Sequence, residues 1–397
     1  MKKTILVVEL VLIALFAGAC QKPKRVEPAK KQLQYDKPLP PGRLALRKIT
    51  DPCDIPDFTF ACYDLVNLKS AIAKSLSYLS KPSSKQFYPY GDITHQRVVD
   101  SLKAFTELLD SKLHGSQLNA AIREKFDVYI SVGCDDKGTV LFTGYYTPIF
   151  DGDLQRSDRF QYPLYKQPPD LVKGPKGEIL GRRGPTGQIE PYPPRKDIES
   201  SGMLTGQELI WLADPFEVYI AHVQGSAKIR LPNGSLVGVG YTASNGHDYK
   251  SLAKEMIKQG KFSDKQLSLS AMIDYFKKHP EEVADYTQYN PRFVFFRMEN
   301  GEPRGSLNEE VTPLRTIATD KTIFPPAGLA FISTRLPAEQ AGIIIDRPYT
   351  GFTLDQDTGG AIRAPGRCDV YMGQGDKAGK LAGRTYQEGK LYYLFVK

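Results

Sequence analysis

The chain is poor in the residues that mark metal or redox centres. Its 397 residues include one tryptophan, five cysteines and five histidines. No C-x-x-C pair and no cysteine–histidine grouping occurs, so the sequence suggests neither a metal site nor a cofactor. His95, His114, His222, His247 and His279 are scattered and read as structural or surface residues. No lysine/arginine cluster lies in the body of the chain. The formal net charge of +8 comes mostly from residues 1–41, which hold eight basic and three acidic residues and leave +3 for residues 42–397. Without a basic stripe, nucleic-acid binding is excluded as a leading reading. No internal repeat or low-complexity segment appears. A hydrophobic content of 41% and a charged content of 25% are ordinary for a globular chain, and this length fits two domains or one with a large insert.

The first twenty residues set the compartment. Met1-Lys2-Lys3 is a positive start, residues 5–16 are apolar apart from Glu9, and Ala17-Gly18-Ala19 precedes Cys20. The apolar run is too short to span a bilayer comfortably. Residues 1–19 read as a signal peptide, and the cut before Cys20 resembles the lipobox of bacterial lipoproteins. That resemblance implies lipidation of Cys20, and Gln21 implies delivery to the outer membrane, facing the periplasm. Ala17 departs from the usual leucine. Residues 20–42, rich in Pro, Lys and Gln, read as a flexible tether. Cys53, Cys62, Cys134 and Cys368 remain, with Cys53–Cys62 the preferred pair if any disulfide forms.

Leucines and isoleucines at helical spacing predict helices over 65–79 and 98–109, with a third from Ser116 to about 125. Residues 126–132 and 139–146 predict a hairpin. From 142 to 245 the composition turns to Gly, Pro, Tyr and Gln, which predicts an inserted β-rich domain. Within it the patterns predict a helix over 206–213 and strands over 218–223, 227–231 and 236–241. Helices are expected at 249–258, 264–278 (capped by Ser263 and Gln266) and 281–286, and then a strand over 292–298. Strands return over 316–318, 328–333, 341–345, 351–357, 368–372 and 391–396.

The chemistry is concentrated near the end. Phe352 and Leu354 alternate with Thr353 and Asp355, and Asp357 continues the polar face before Gly359-Gly360 breaks the strand. On the next strand Asp369 and Tyr371 share one face, and Cys368, Val370 and Met372 the other. If these strands pair, Asp357 and Asp369 come together, and close carboxylates raise each other's pKa. A lone aspartic acid, with a pKa near ~3.9, is protonated in only about one molecule in a thousand at pH 7. An acid catalyst must therefore be shifted strongly upward.

Six stretches carry a resemblance: Phe142-Thr143-Gly144-Tyr145-Tyr146-Thr147-Pro148, Val223-Gln224-Gly225-Ser226, Ser244-Asn245-Gly246-His247-Asp248-Tyr249, Asn290-Pro291-Arg292-Phe293-Val294-Phe295-Phe296, Ala318-Thr319-Asp320 through Pro325-Pro326-Ala327-Gly328, and the Asp357/Asp369 segment. In this order they resemble the membrane-bound lytic murein transglycosylase A family, with its C-terminal three-aspartate domain. The resemblance implies an α+β, mainly β architecture. A double-psi β-barrel with N-terminal helices, from residues 43–141 and 246–397 (three-aspartate region 314–397), would face an inserted second β domain, 142–245, across a groove.

It also implies cleavage of the β-1,4 bond between N-acetylmuramic acid and N-acetylglucosamine, leaving 1,6-anhydro ends. Asp369 matches the family's catalytic aspartate. Asp357 and Asp320 match the other two, whereas Asp355 reads as a solvated or turn-bonding residue. Asp357 is expected to tune Asp369. Tyr145, Tyr146 and Tyr241 are candidate sugar platforms. Gln224, Ser226, Asp320, Thr358, Gly359 and Gly360 are further candidate substrate contacts, each with a structural alternative. Expected partners are peptidoglycan glycan strands and, through the lipid, the outer membrane. Cell-wall synthesis or division proteins are further candidates, and a monomer is the expected state. Two alternatives stay open: a hydrolase using Asp357 and Asp369 with water, and a non-catalytic peptidoglycan-binding lipoprotein.

Overall fold

The amphipathic repeats near the N-terminus form the helices their spacing predicts. A computed structural model describes residues 33–397 except 176 and 264–267; the expected signal peptide, Cys20 and residues 21–32 of the expected tether lie outside the described residues. After β1 (Leu46–Lys48) come α1 (Leu68–Leu79), α2 (His95–Asp110) and α3 (Gly115–Lys125). Helix α2 is capped by Thr94, whose hydroxyl accepts from Arg97 N. Helix α3 starts on Gly115 without a side-chain cap, one residue before the expected Ser116.

The chain then makes β2 (Phe126–Ser131) and β3 (Val140–Thr147). These do not form the expected hairpin. The last strand, β17 (Tyr386–Val396), lies between them and pairs antiparallel with both. With β13 (Thr316–Ala318), β14 (Leu329–Gln340), β15 (Ile343–Asp357) and β16 (Arg367–Gln374), β17 and β3 close a ring in the order β17-β14-β15-β13-β16-β3. This is a six-stranded barrel, as the double-psi expectation requires. The two strands expected at 341–345 and 351–357 are one, β15, paired with β14 from Ile343 to Leu354.

The barrel and α1–α3 share a core built on aromatic residues. Phe58 meets Phe331 edge-on at 4.8 Å, and Phe105 meets Phe352 at 4.9 Å. All four are fully buried, each removing a large apolar area from water. Helix α9 (Gly375–Arg384), absent from the sequence expectation, packs on β3. A Cβ on Gly379 would stand 2.8 Å from the Tyr146 ring, and one on Gly144 2.6 Å from Ala382 Cα. Glycine lets helix and strand touch there.

Between β3 and β13 the chain builds a second barrel. Its sheet runs β12-β11-β10-β4-β9-β5, using β4 (Ile149–Asp153), β5 (Tyr162–Tyr165), β9 (Glu208–Leu212), β10 (Ser226–Arg230), β11 (Leu236–Ser244) and β12 (Val294–Glu299). A bridge from Lys166 to Phe296 closes it. A small sheet of β6 (Leu171–Lys173), β7 (Ile179–Arg183) and β8 (Ile189–Glu190) and helix α4 (Arg195–Ser201) are appended. Because β12 pairs with β11, this unit extends to Glu299 rather than ending at 245, and residues 142–147 belong to the first barrel. Helices α6 (Leu252–Lys258), α7 (Leu269–Lys278) and α8 (Val283–Thr287) share the second core through Met256, Phe276 and Tyr286. Ser268 caps α7, its hydroxyl accepting from Ala271 N at 3.1 Å; the expected cap partner Gln266 lies outside the described residues.

Two local expectations are reversed. The segment 206–213 holds strand β9 (Glu208–Leu212) and no helix, with Ile210 and Leu212 fully buried and Leu209 and Trp211 less so. Residues 218–223 lie in helix α5 (Pro215–Gln224), where Asp214 accepts from Phe216 N at 2.7 Å, Pro215 opens the first turn and Gly225 (φ 76°) ends it. On α5, burial and then Asp214 raise the Glu217 carboxyl to about 7. A raised folded pKa means a contribution to stability that is full below pH ~4.5 and lost as pH rises through about 7. Glu217→Gln should therefore be more stable than the parent at pH 8 by on the order of 1–2 kcal/mol, allowing for partial solvation, and not at pH 4. Thermal melts at both pH values check this; an equal difference at the two would refute it.

Candidate active site

Strand register places the acidic residues. Asp357 on β15 stands opposite Ala318 on β13, Ala318 opposite Asp369 on β16, and Asp369 opposite Thr143 on β3. Directly paired residues share a face, so these four form one row across the barrel wall. The two aspartates are not on adjacent strands: β13 wedges between them, setting their backbones about 10 Å apart at two strand spacings. The expected carboxyl–carboxyl contact is not made.

The nearest charge to Asp369 is instead a cation. The Thr143 hydroxyl donates to Asp369 Oδ1, and Arg367 Nη2 approaches the same oxygen at 3.4 Å and Thr143 Oγ1 at 3.2 Å. Among the described residues no side chain bonds Oδ2. The Asp369 side chain is 16% exposed, so it lines a wall and is not sealed in the core. Cys368 is fully buried on the opposite face, where burial pushes its thiol well up, as expected of a core residue. Cys53, Cys62 and Cys134 are also free thiols, so the preferred Cys53–Cys62 pair is not formed.

Asp357 accepts from Ser306 N and Thr358 N, both at 2.8 Å. Ser306 belongs to the connector that returns from β12 to β13, so this carboxylate ties the return path to the end of β15. Burial pushes the Asp357 carboxyl above the usual range against those donors. The buried Tyr145 hydroxyl lies beside it but completes no hydrogen bond. The Tyr145 ring lies 5.1 Å from that of Tyr371, whose hydroxyl is 3.0 Å from Thr147 Oγ1; Ser226 Oγ of the second barrel follows at 3.4 Å.

The second barrel faces this row. A Cβ on Gly360 would lie 3.1 Å from Arg292 Nε. Gln224 Oε1 accepts from Tyr146 N at 3.2 Å. Tyr241, 43% exposed, stands beside Gly225, between Gln224 and Ser226.

Residues 141–297 match the MltA specific insert domain and residues 315–395 the 3D domain. The membrane-bound lytic murein transglycosylase A of Escherichia coli K12 is 30% identical over 276 residues, covering 68% of this chain and 69% of that protein. The chain belongs to the membrane-bound lytic murein transglycosylase A family. The Vibrio cholerae member is 29% identical over 272 residues, covering 66% of this chain and 67% of that protein. A membrane-bound lytic murein transglycosylase from Agrobacterium tumefaciens superposes with TM-score 0.72 at 26% identity, covering 89% of this chain and 98% of that one. The E. coli MltA structure with bound chitohexaose shares the fold, at TM-score 0.66 and 24% identity over 94% and 98% of the two chains.

Within this lytic murein transglycosylase A fold, several expected site residues are placed elsewhere. Tyr146 is buried beneath α9, on the face away from Asp369, so it is a core residue and not a sugar platform. Asp320 is 5% exposed, and its oxygens accept from Thr322 Oγ1 at 2.6 Å and Ala364 N at 3.1 Å; it braces a loop. Asp355, expected to be solvated, is fully buried. Thr143 and Arg367 were not singled out from sequence. Thr143 lies inside a quoted motif, but only the parallel pairing of β3 with β16 reveals what it touches. Among the described residues, no helix is long and apolar enough to cross a membrane.

Proposed function

We propose that this chain is a lytic transglycosylase that cleaves the β-1,4 bond between N-acetylmuramic acid and N-acetylglucosamine in peptidoglycan. Asp369 gives its proton to the glycosidic oxygen as the bond to muramic acid C1 breaks. The resulting carboxylate takes the proton of the C6 hydroxyl, whose oxygen bonds to C1 and closes a 1,6-anhydro ring. The same residue starts and ends protonated, and no water enters. The observation that carries this reading is the free side of Asp369: Thr143 and Arg367 both engage Oδ1, leaving Oδ2 for the substrate.

Hydrolysis with Asp357 as base fits less well. A water-activating base must be ionised and accessible, whereas Asp357 is held by two backbone N–H groups and pushed by burial toward its neutral form. Its proposed role is to fix the turn beside Asp369. Thr358, Gly359 and Gly360 would offer backbone contacts, Tyr241 a ring face for a sugar, and Gln224 and Ser226 hydrogen bonds to acetamido or hydroxyl groups. The second barrel would thus hold the glycan against the first.

Purified sacculi digested with the protein should release muropeptides whose ends are one water lighter than hydrolysed ends. A product mixture dominated by the heavier, reducing ends would overturn the reaction, and no release at all would favour a binding protein. Relatives are named membrane-bound. Here we infer anchoring to the outer membrane through Cys20, facing the periplasm. A palmitate analogue should label the parent and not Cys20→Ala, and label on both would refute the assignment.

A further inference from the structure

The ladder between β13 and β15 breaks just before Asp357. Thr316 pairs with Leu354 and Ile317 with Asp355, but Ala318 pairs with Asp357, leaving Gln356 as an extra residue. Such a bulge bends the strand and re-aims the side chains beside it. On the core side, Gln356 is anchored: its amide donates to Ala71 O at 2.8 Å and Ser75 Oγ at 3.0 Å, and its Oε1 accepts from Thr316 Oγ1 at 2.7 Å.

The other side of the bulge is held by Lys321. Its ammonium donates to the Asp355 carboxylate, to the backbone carbonyl of Asp357 at 2.5 Å and to Thr319 Oγ1 at 3.2 Å. Those are three donors on three acceptors, two of them on either side of the extra residue. Asp355, wholly buried, also accepts from Thr319 Oγ1 at 2.8 Å and the Tyr393 hydroxyl at 2.7 Å. Thr319 N donates to Asp357 O at 3.1 Å, and Thr358 Oγ1 to Thr319 O at 2.7 Å.

We infer that the Lys321–Asp355 ion pair is a positioning device for catalysis: it clamps the bulge and sets Asp357 and the Thr358–Gly360 turn at the distance from Asp369 that the glycan requires. This rests on the reading of Asp369 as the acid. Stability alone gives little reason for the pair, since desolvating two charges often cancels their attraction and neutral replacements of both are commonly tolerated. A misplacement of about 1 Å at a reacting centre, by contrast, can cost around a hundred-fold in rate.

The test compares Lys321→Met/Asp355→Asn, Lys321→Arg and Asp369→Asn with the parent on soluble glycan strands, scoring kcat and KM per folded molecule. The double variant should lose roughly 10- to 100-fold in kcat with KM changed less than about three-fold. Lys321→Arg, which keeps the charge and the donors, should stay within about five-fold of the parent. A folded double variant with parental kcat, or a loss matched only by loss of folded protein, overturns the clamp. Should the double variant not fold, Lys321→Gln carries the test. It removes the charge of the pair while Asp355 keeps the Thr319 and Tyr393 donors; about a ten-fold drop in kcat supports the clamp and an unchanged kcat overturns it. The Asp369→Asn arm separates the two ideas: activity there sinks the acid assignment itself, while an inactive Asp369→Asn beside a fully active double variant sinks only the clamp.

Discussion

Asp369→Asn should leave a folded protein whose release of muropeptides from sacculi falls by roughly a thousand- to ten-thousand-fold, the upper part of the range for loss of a general acid. The upper part applies because one group is asked to act twice, first as acid and then as base, and among the described residues no second carboxylate pairs with it. Asp357 stands two strands away with its Oδ1 bound to Ser306 N and Thr358 N. The fold should tolerate the change. Asparagine matches aspartate in shape, and its carbonyl oxygen can still accept from Thr143 and Arg367. Melting temperature and glycan binding should therefore stay near those of the parent while turnover collapses. A variant that clears sacculi within ten-fold of the parent would show that the proton comes from elsewhere.

The largest expected effect on stability lies in the second barrel, at Arg195. This side chain is 1% exposed and reaches four groups: Asn290 O at 3.2 Å, Arg292 O at 2.8 Å, Glu199 at 2.9 Å and His222 Nδ1 at 3.0 Å. His222 Nδ1 also accepts from Val294 N at 3.2 Å, and burial holds its ring well below the usual histidine range, so it accepts as a neutral ring. Arg195→Met would fill much of the space but leave two main-chain carbonyls without their donor. An unsatisfied buried polar group costs about 1–3 kcal/mol, so a loss of roughly 3–5 kcal/mol is expected, a large share of a typical domain's stability. Glu199, partly exposed, can turn to water and adds little. Urea titration should show a lower midpoint with an unchanged slope, and a loss below about 1 kcal/mol would mean that water replaces the guanidinium. Since the same segment presents Arg292 to Gly360, turnover should fall at temperatures where the variant is still folded.

What could be read from the sequence was local, and what could not was pairing between distant segments. Leu68, Ile72 and Leu79 announce α1 because helical spacing is written within a dozen residues. The patterns over 227–231 and 236–241 announce β10 and β11 in the same way, since only a short turn separates the paired strands. The β2–β3 hairpin failed because β17, about 240 residues downstream, takes the place between them. The Asp357–Asp369 contact failed for a related reason: β13, earlier in the chain than either, separates their strands. Asp214-Pro215 is a legible helix start that the apolar residues of α5 masked. Gly375, Gly379 and Gly383 hid α9, since glycine argues against a helix unless a neighbour needs the space that its missing side chain leaves. Asp355 looked like a polar residue on a solvent face, because nothing nearby in sequence reveals Tyr393 bonding it from β17, two strands away.

The strand that carries Asp369 is gripped on one side by β3, where the chain departs for the second barrel, and on the other by β13, to which it returns. Movement of the second barrel would therefore reach β16 from both of its edges: at β3, which one residue separates from β4, and at β13 through the 300–315 connector, which Asp357 ties to the end of β15.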